Sequence, residues 1–139
     1  MKIAIINGPN LNLLGQREPG VYGTTGFEDY LKELSAAYPG VDFEYFQSNI
    51  EGELVDALQK FGGQADGIIL NPAAYTHTSV AIGDAIAAIG TPVVEVHISN
   101  VHAREDFRKL SHISAKAAGT ITGLGLVGYR LAVAYFLYK

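Results

Sequence analysis

Residues 67–70, and residues 2–6 from Ile3 onward, are apolar without interruption. A strand of this kind must be covered on both faces, as happens in a parallel sheet with helices above and below it. The segments around these runs fit that arrangement. Val41, Phe43 and Tyr45 alternate with Asp42 and Glu44 over residues 41–47, the pattern of an edge strand. Residues 92–98 form a fourth strand and residues 119–122 a short fifth. Phe27, Tyr30, Leu31, Leu34 and Tyr38 fall at helical spacing, as do Ile50, Leu54, Leu58 and Phe61. Thr25 with Glu28, and Ser48 with Glu51, have the spacing of capping boxes. Pro39-Gly40 and Gly62-Gly63 end these two helices. Ser79 caps a third helix that runs to about Ile89, and residues 124–138 form a fourth. The charged stretch at residues 104–109 makes at most a short helix. Strands that alternate with helices predict an α/β fold, a three-layer sandwich on a parallel sheet. Five such strands suggest the flavodoxin-like order 2-1-3-4-5, in one domain spanning residues 1–139.

Composition narrows the function. The chain has 139 residues, enough for one core. Its net charge of -4, without a lysine or arginine cluster, argues against nucleic-acid binding. No apolar run reaches the roughly 18 residues that span a bilayer, so no membrane association is expected. Without a basic segment ahead of an apolar one, no signal peptide is expected, and a cytoplasmic protein is the expectation. Cysteine is absent, which removes disulfides, thiol nucleophiles and cysteine metal sites.

Ligands of such sheets bind outside the carboxyl ends of the strands. Three features lie there. The first is a loop at about residues 8–24, too rich in Asn, Pro and Gly for a continuous helix or strand. Its Leu11, Leu13, Leu14 and Val21 call for docking, and it carries Arg17, Glu18 and Tyr22; it reads as an active-site lid. The second is the alternation of Glu95, His97 and Ser99, which points all three to one face of the fourth strand. This is either a structural pair closing a strand end or a catalytic histidine held by its neighbours, and its place at the carboxyl end favours catalysis. The third is Asn71-Pro72 with His77 among Thr76, Thr78 and Ser79. His77 is either an exposed loop histidine or part of an anion site at a helix N-terminus. His102 and His112 read as surface residues. The four histidines lack metal-motif spacing, so no metal is expected.

Two further signals have bland alternatives. Tyrosine, with a pKa near 10, is only about 0.1% ionised at neutral pH. A guanidinium such as Arg17 beside Tyr22 could lower that pKa by about one to three units and create a phenolate base; otherwise Tyr22 packs on the core and Arg17 is solvated. Gly123, Gly125 and Gly128 match the dinucleotide fingerprint, but residues 129–139 hold neither a second strand nor an acidic residue. They read as permitting close helix packing, and no cofactor is expected.

The loop Asn7-Gly-Pro-Asn-Leu-Asn-Leu-Leu-Gly-Gln-Arg-Glu-Pro-Gly-Val-Tyr-Gly resembles the opening signature of type II 3-dehydroquinate dehydratases. Gln47-Ser-Asn-Ile-Glu-Gly-Glu, Asn71-Pro-Ala-Ala-Tyr-Thr-His-Thr-Ser, Glu95-Val-His-Ile-Ser-Asn-Val-His-Ala-Arg-Glu-Asp-Phe-Arg and Gly123-Leu-Gly match later blocks in order. The resemblance covers essentially the whole chain. It departs at Ile50, where a histidine is expected, and at Lys109-Leu110-Ser111-His112.

The resemblance implies a shikimate-pathway hydro-lyase that removes water from 3-dehydroquinate without metal, cofactor or lysine imine. It implies Tyr22 as the base, Arg17 as the stabiliser of its phenolate, and Asn10 as a loop residue that helps hold an enolate-like intermediate. It implies His97 as the acid and Glu95 as its support. Asn71, His77, the Ile98 and Ser99 backbone, and Arg108 match substrate-binding positions, and Asp84 one that reaches a neighbouring subunit's substrate. A homododecamer of four trimers is also implied. A flavodoxin-like nucleotide-binding module and an inactive scaffold are the alternatives; Arg17, Tyr22 and His97 argue against the latter.

Overall fold

The computed structural model describes residues 1–16 and 26–139. Strand β1 (Lys2–Asn7) leads to helix α1 (Phe27–Ala37), β2 (Asp42–Gln47), α2 (Glu51–Gly62), β3 (Gly67–Asn71), α3 (Val80–Ala88), β4 (Val93–His97), β5 (Gly119–Thr122) and α4 (Val127–Tyr138). Every strand pair is parallel, and the order is β2-β1-β3-β4-β5. The polar-alternating strand is at an edge, as its pattern requires.

Alternation along β1 divides the core. Ile3 and Ile5 face one side with Phe27 and Leu34 of α1 and Tyr129, Val133 and Phe136 of α4. Ala4 and Ile6 face the other with Leu54, Leu58 and Phe61 of α2 and Ile82 and Ile86 of α3. The uninterrupted apolar strands are thus covered twice, giving three layers. No helix among the described residues is long and apolar enough to cross a membrane.

Three local expectations differ from the structure. Gly26 holds the position before α1, without a side-chain cap; Thr25 lies outside the described residues. Ser48 does not form a capping box with Glu51. It lies two positions before the N-cap residue Ile50, and its Oγ accepts from the Ile50 N–H and donates to Glu53 at 2.6 Å. Helix α4 begins later than residue 124, because Gly123 and Gly125 have φ of +87° and +62°. Close helix packing holds for Gly128 alone of the three: a Cβ there would lie 3.2 Å from Val96.

Candidate active site

The carboxyl ends of β1, β3 and β4 surround one cleft. Asn10, Leu11 and Leu14 come from the segment after β1, and Asn71 and His77 from β3 and the turn beyond it. His97, Ile98 and Ser99 leave β4; Arg104 follows one short 3-10 turn (Val101–Ala103) and Arg108 lies in the next (Asp106–Lys109). No carboxylate side chain of the described residues lines this cleft. Two guanidiniums and two imidazoles therefore make it receptive to an anion, although the whole chain is acidic.

Each wall is fixed by specific contacts. Gly8 donates its N–H to the Asn71 carbonyl at 2.7 Å, and a Cβ at Gly8 would come within 2.7 Å of the Pro72 carbonyl. This close approach requires glycine there. Gln47 Nε2 donates to the Gly8 carbonyl, and the Asn10 N–H donates to Asn49 Oδ1. The segment 47–49 thus anchors the start of the loop. Asn10 itself has φ of +71°, a left-handed conformation that asparagine tolerates better than most residues.

Asn7 and Asn71 are register partners on adjacent strands. The hydroxyl of Tyr129, with no exposed surface, joins them: it donates to Asn7 Oδ1 at 2.8 Å and accepts from Asn71 Nδ2 at 2.9 Å. Asn71 Oδ1 accepts the Ala73 N–H, which leaves the second N–H of its amide for the cleft. Burial pushes the Tyr129 phenol far above its ordinary range, outweighing the Asn71 hydrogen bond. Burial also pushes Tyr30 and Tyr45 up. None of these three tyrosines is a base at neutral pH.

His97 and Glu95 share a face of β4. The His97 Nε2–H donates to Glu95 Oε2 at 2.5 Å, because a carboxylate only accepts. Nδ1 of His97 is then the nitrogen available for chemistry. Glu95 has no exposed surface. Burial alone would push its carboxyl up, but the hydrogen bond and charge of His97, with hydrogen bonds from Ser114 and Thr76, together outweigh burial and hold it below the usual carboxylate range. His77 donates Nδ1–H to the Leu110 carbonyl at 2.7 Å and meets Phe107 edge-on. It is neither an exposed loop histidine nor at the start of α3, and its Nε2 is left for a ligand.

The structure brings Asn10, Asn71, His77, His97, Ile98, Ser99 and Arg108 to one cleft, with Glu95 directly behind His97. Asp84 is not among them; it is exposed on α3. Arg17 and Tyr22 lie outside the described residues. Sequence reasoning missed Arg104, whose Nη1 donates to Ser99 Oγ at 3.2 Å. Its place four residues before Arg108 in the same block was the available signal. Thr76, Ser111 and Ser114 gave none, because Thr76 and Ser114 meet Glu95, and Ser111 meets Thr76, only through the fold. His102 and His112 are exposed, as expected.

Comparison with known proteins places this geometry in a family. The sequence pattern of the family described as Dehydroquinase class II matches residues 1–137. The chain belongs to that family. It is 56% identical over 135 residues to the 3-dehydroquinate dehydratase of Campylobacter hominis, covering 96% of this chain and 87% of that one. It is also 56% identical over 134 residues to catabolic 3-dehydroquinase 1 of Aspergillus terreus, covering 94% and 88%. The crystal structure of type II dehydroquinase from Butyrivibrio crossotus superposes with a TM-score of 0.94 at 42% identity, covering 99% of this chain and 97% of that one.

Proposed function

We infer that this chain is a type II 3-dehydroquinate dehydratase, a hydro-lyase that converts 3-dehydroquinate to 3-dehydroshikimate in the shikimate pathway. The observation that carries the reading is the cleft at the strand ends. A histidine tied to a buried carboxylate faces it, arginines line it, and no described carboxylate does. Loss of a β-hydroxyl from a ketone needs a base, an acid and a group that stabilises enolate charge.

In the mechanism we propose, Tyr22, as a phenolate stabilised by Arg17, takes the proton α to the ketone. Charge moves onto the ketone oxygen, near Asn10. His97 gives the Nδ1 proton to the departing hydroxyl, the C–O bond breaks and water leaves, a trans-elimination. The substrate carboxylate accepts hydrogen bonds from Arg108 and from N–H groups of the Ile98–Ser99 backbone. Asn71 and His77 hold the ring hydroxyls. The exclusion of Tyr30, Tyr45 and Tyr129 as bases is consistent with a base in the loop.

The single domain, its lid at about residues 8–24, a cytoplasmic location and the homododecamer of four trimers belong to the same proposal. In it, the exposed Asp84 reaches the substrate of a neighbouring subunit. The test is the appearance of enone absorbance when 3-dehydroquinate is added to purified protein. A nucleotide-binding module of the same fold would give none. Borohydride added with substrate should leave the enzyme active, because no lysine of the described residues lines the cleft; a lysine adduct in the mass spectrum would contradict this mechanism.

A further inference from the structure

With Glu95 ionised, the hydrogen atoms around it admit one arrangement. An ionised carboxylate only accepts. Thr76 owns a single hydroxyl proton, and its Oγ1 lies 2.6 Å from Glu95 Oε2, so that proton goes to Glu95. Thr76 Oγ1 is also 2.6 Å from Ser111 Oγ. With its own proton committed, Thr76 must accept there, so Ser111 donates. Ser111 Oγ accepts in turn from the N–H groups of Ile113 and Ser114, both at 3.0 Å. Ser114 Oγ gives its proton to Glu95 Oε1 at 2.5 Å. His97 Nε2–H completes the set at Oε2. Every hydroxyl direction is therefore fixed by the charge on Glu95. Protonating Glu95 would force Thr76 or Ser114 to turn its hydroxyl away and give up a donor to the carboxyl, so this set of contacts favours the anion.

We propose that Thr76, Ser111 and Ser114 are positioning residues that form a one-way hydroxyl clamp, holding Glu95 as an anion throughout turnover. His97 then keeps Nε2–H directed at Glu95 and always presents Nδ1 to the cleft. The proton given to the leaving hydroxyl comes from Nδ1, and solvent restores it after water departs. This rests on the reading of His97 as the acid. The charged and titratable groups around the pair are of one kind. His77, Arg104 and Arg108 share the front cleft with His97. His102, Arg108 and Lys109 share a second cavity that Glu95, His97, Thr76, Ser111 and Ser114 also line. No other carboxylate of the described residues lines either cavity, so none competes for the proton.

The test compares the parent with Thr76→Val, which keeps the shape and deletes the hydroxyl, with Ser114→Ala, and with Thr76→Ser, which restores a hydroxyl. Two quantities are followed against pH: kcat for dehydration, and Tm. Because the folded carboxyl is held low, its stabilisation is present above the ordinary carboxylate pKa of about 4.3 and is lost as pH falls through the folded value. Removing a donor should move that loss, and the acid limb of kcat, upward by about one to two pH units. Thr76→Ser should return both curves toward the parent. Curves that keep the parental pH dependence and only drop uniformly would overturn the clamp and leave the hydroxyls as packing. Undiminished kcat in His97→Ala would instead remove the acid assignment, while the Tm curves still decide the clamp.

Discussion

Two buried polar hubs sit at the carboxyl edge of the sheet, one on each face. On the side of α1 and α4, the Tyr129 hydroxyl ties Asn7 to Asn71. On the other side, Glu95 gathers His97, Thr76 and Ser114. The first hub is neutral, and burial keeps its phenol protonated. The second is anionic, and its donors hold it so. A neutral hub can only fix distances between strands. An anionic hub can also orient a proton donor and stabilise its cation. In the proposed mechanism this difference gives Tyr129 a geometric role and Glu95 a chemical one.

Breaking the charged hub at the group that faces the cleft should have the largest effect. His97→Ala should lower kcat by about 10²–10⁴-fold, the usual contribution of a general acid, while circular dichroism shows the fold retained. Near-parental turnover would erase the distinction between the hubs. Arg108→Ala comes next. Its Nε already donates to Glu105 at 3.0 Å and its guanidinium lies over Phe107, an arrangement that leaves Nη atoms for a carboxylate. Losing a charge-assisted contact of roughly 1.5–3 kcal/mol should reduce kcat/KM by about 10–100-fold, mainly through KM. A change confined to kcat would place Arg108 with the chemistry rather than with binding.

Tyr129→Phe should act on stability. It leaves two buried amides short of a partner, at a cost of about 1–3 kcal/mol, read as a lower urea midpoint at unchanged m. The pH dependence of kcat should stay parental. Tyr45→Phe sharpens the same point and should be the mildest change. The Asn7 Nδ2 contact to the Tyr45 hydroxyl is 3.5 Å, at the limit of a hydrogen bond, so the shift should fall below about 0.5 kcal/mol.

The two hubs were unequally legible in the sequence. Glu95 and His97 could be paired because alternation along one strand fixes their common face. The fold was legible for a similar reason: runs such as residues 67–70 are uninterruptedly apolar, and helix stripes carry a period. Tyr129 contacts Asn71 and Asn7 across 58 and 122 positions of chain. No local pattern encodes such a contact, and the tyrosine reads as one more apolar position of a helix. Ser111 and Ser114 lie in a polar stretch whose relation to Glu95 exists only after the segment folds back over β4. The capping error at Ser48 has a comparable origin. The S-x-x-E spacing is present, but where the turn of helix begins decides which glutamate the hydroxyl meets.

The claim that an anionic Glu95 makes His97 an acid is tested most directly by Glu95→Gln. Turnover of 3-dehydroquinate should be measured beside Tyr129→Phe, with Tm recorded for both. The substitution keeps size and shape, removes the anion and puts amide N–H donors where a carboxylate oxygen accepted. The account predicts that kcat falls by about 10²-fold or more in a protein that still folds, whereas Tyr129→Phe loses stability and keeps kcat. Near-parental kcat in folded Glu95→Gln would contradict it.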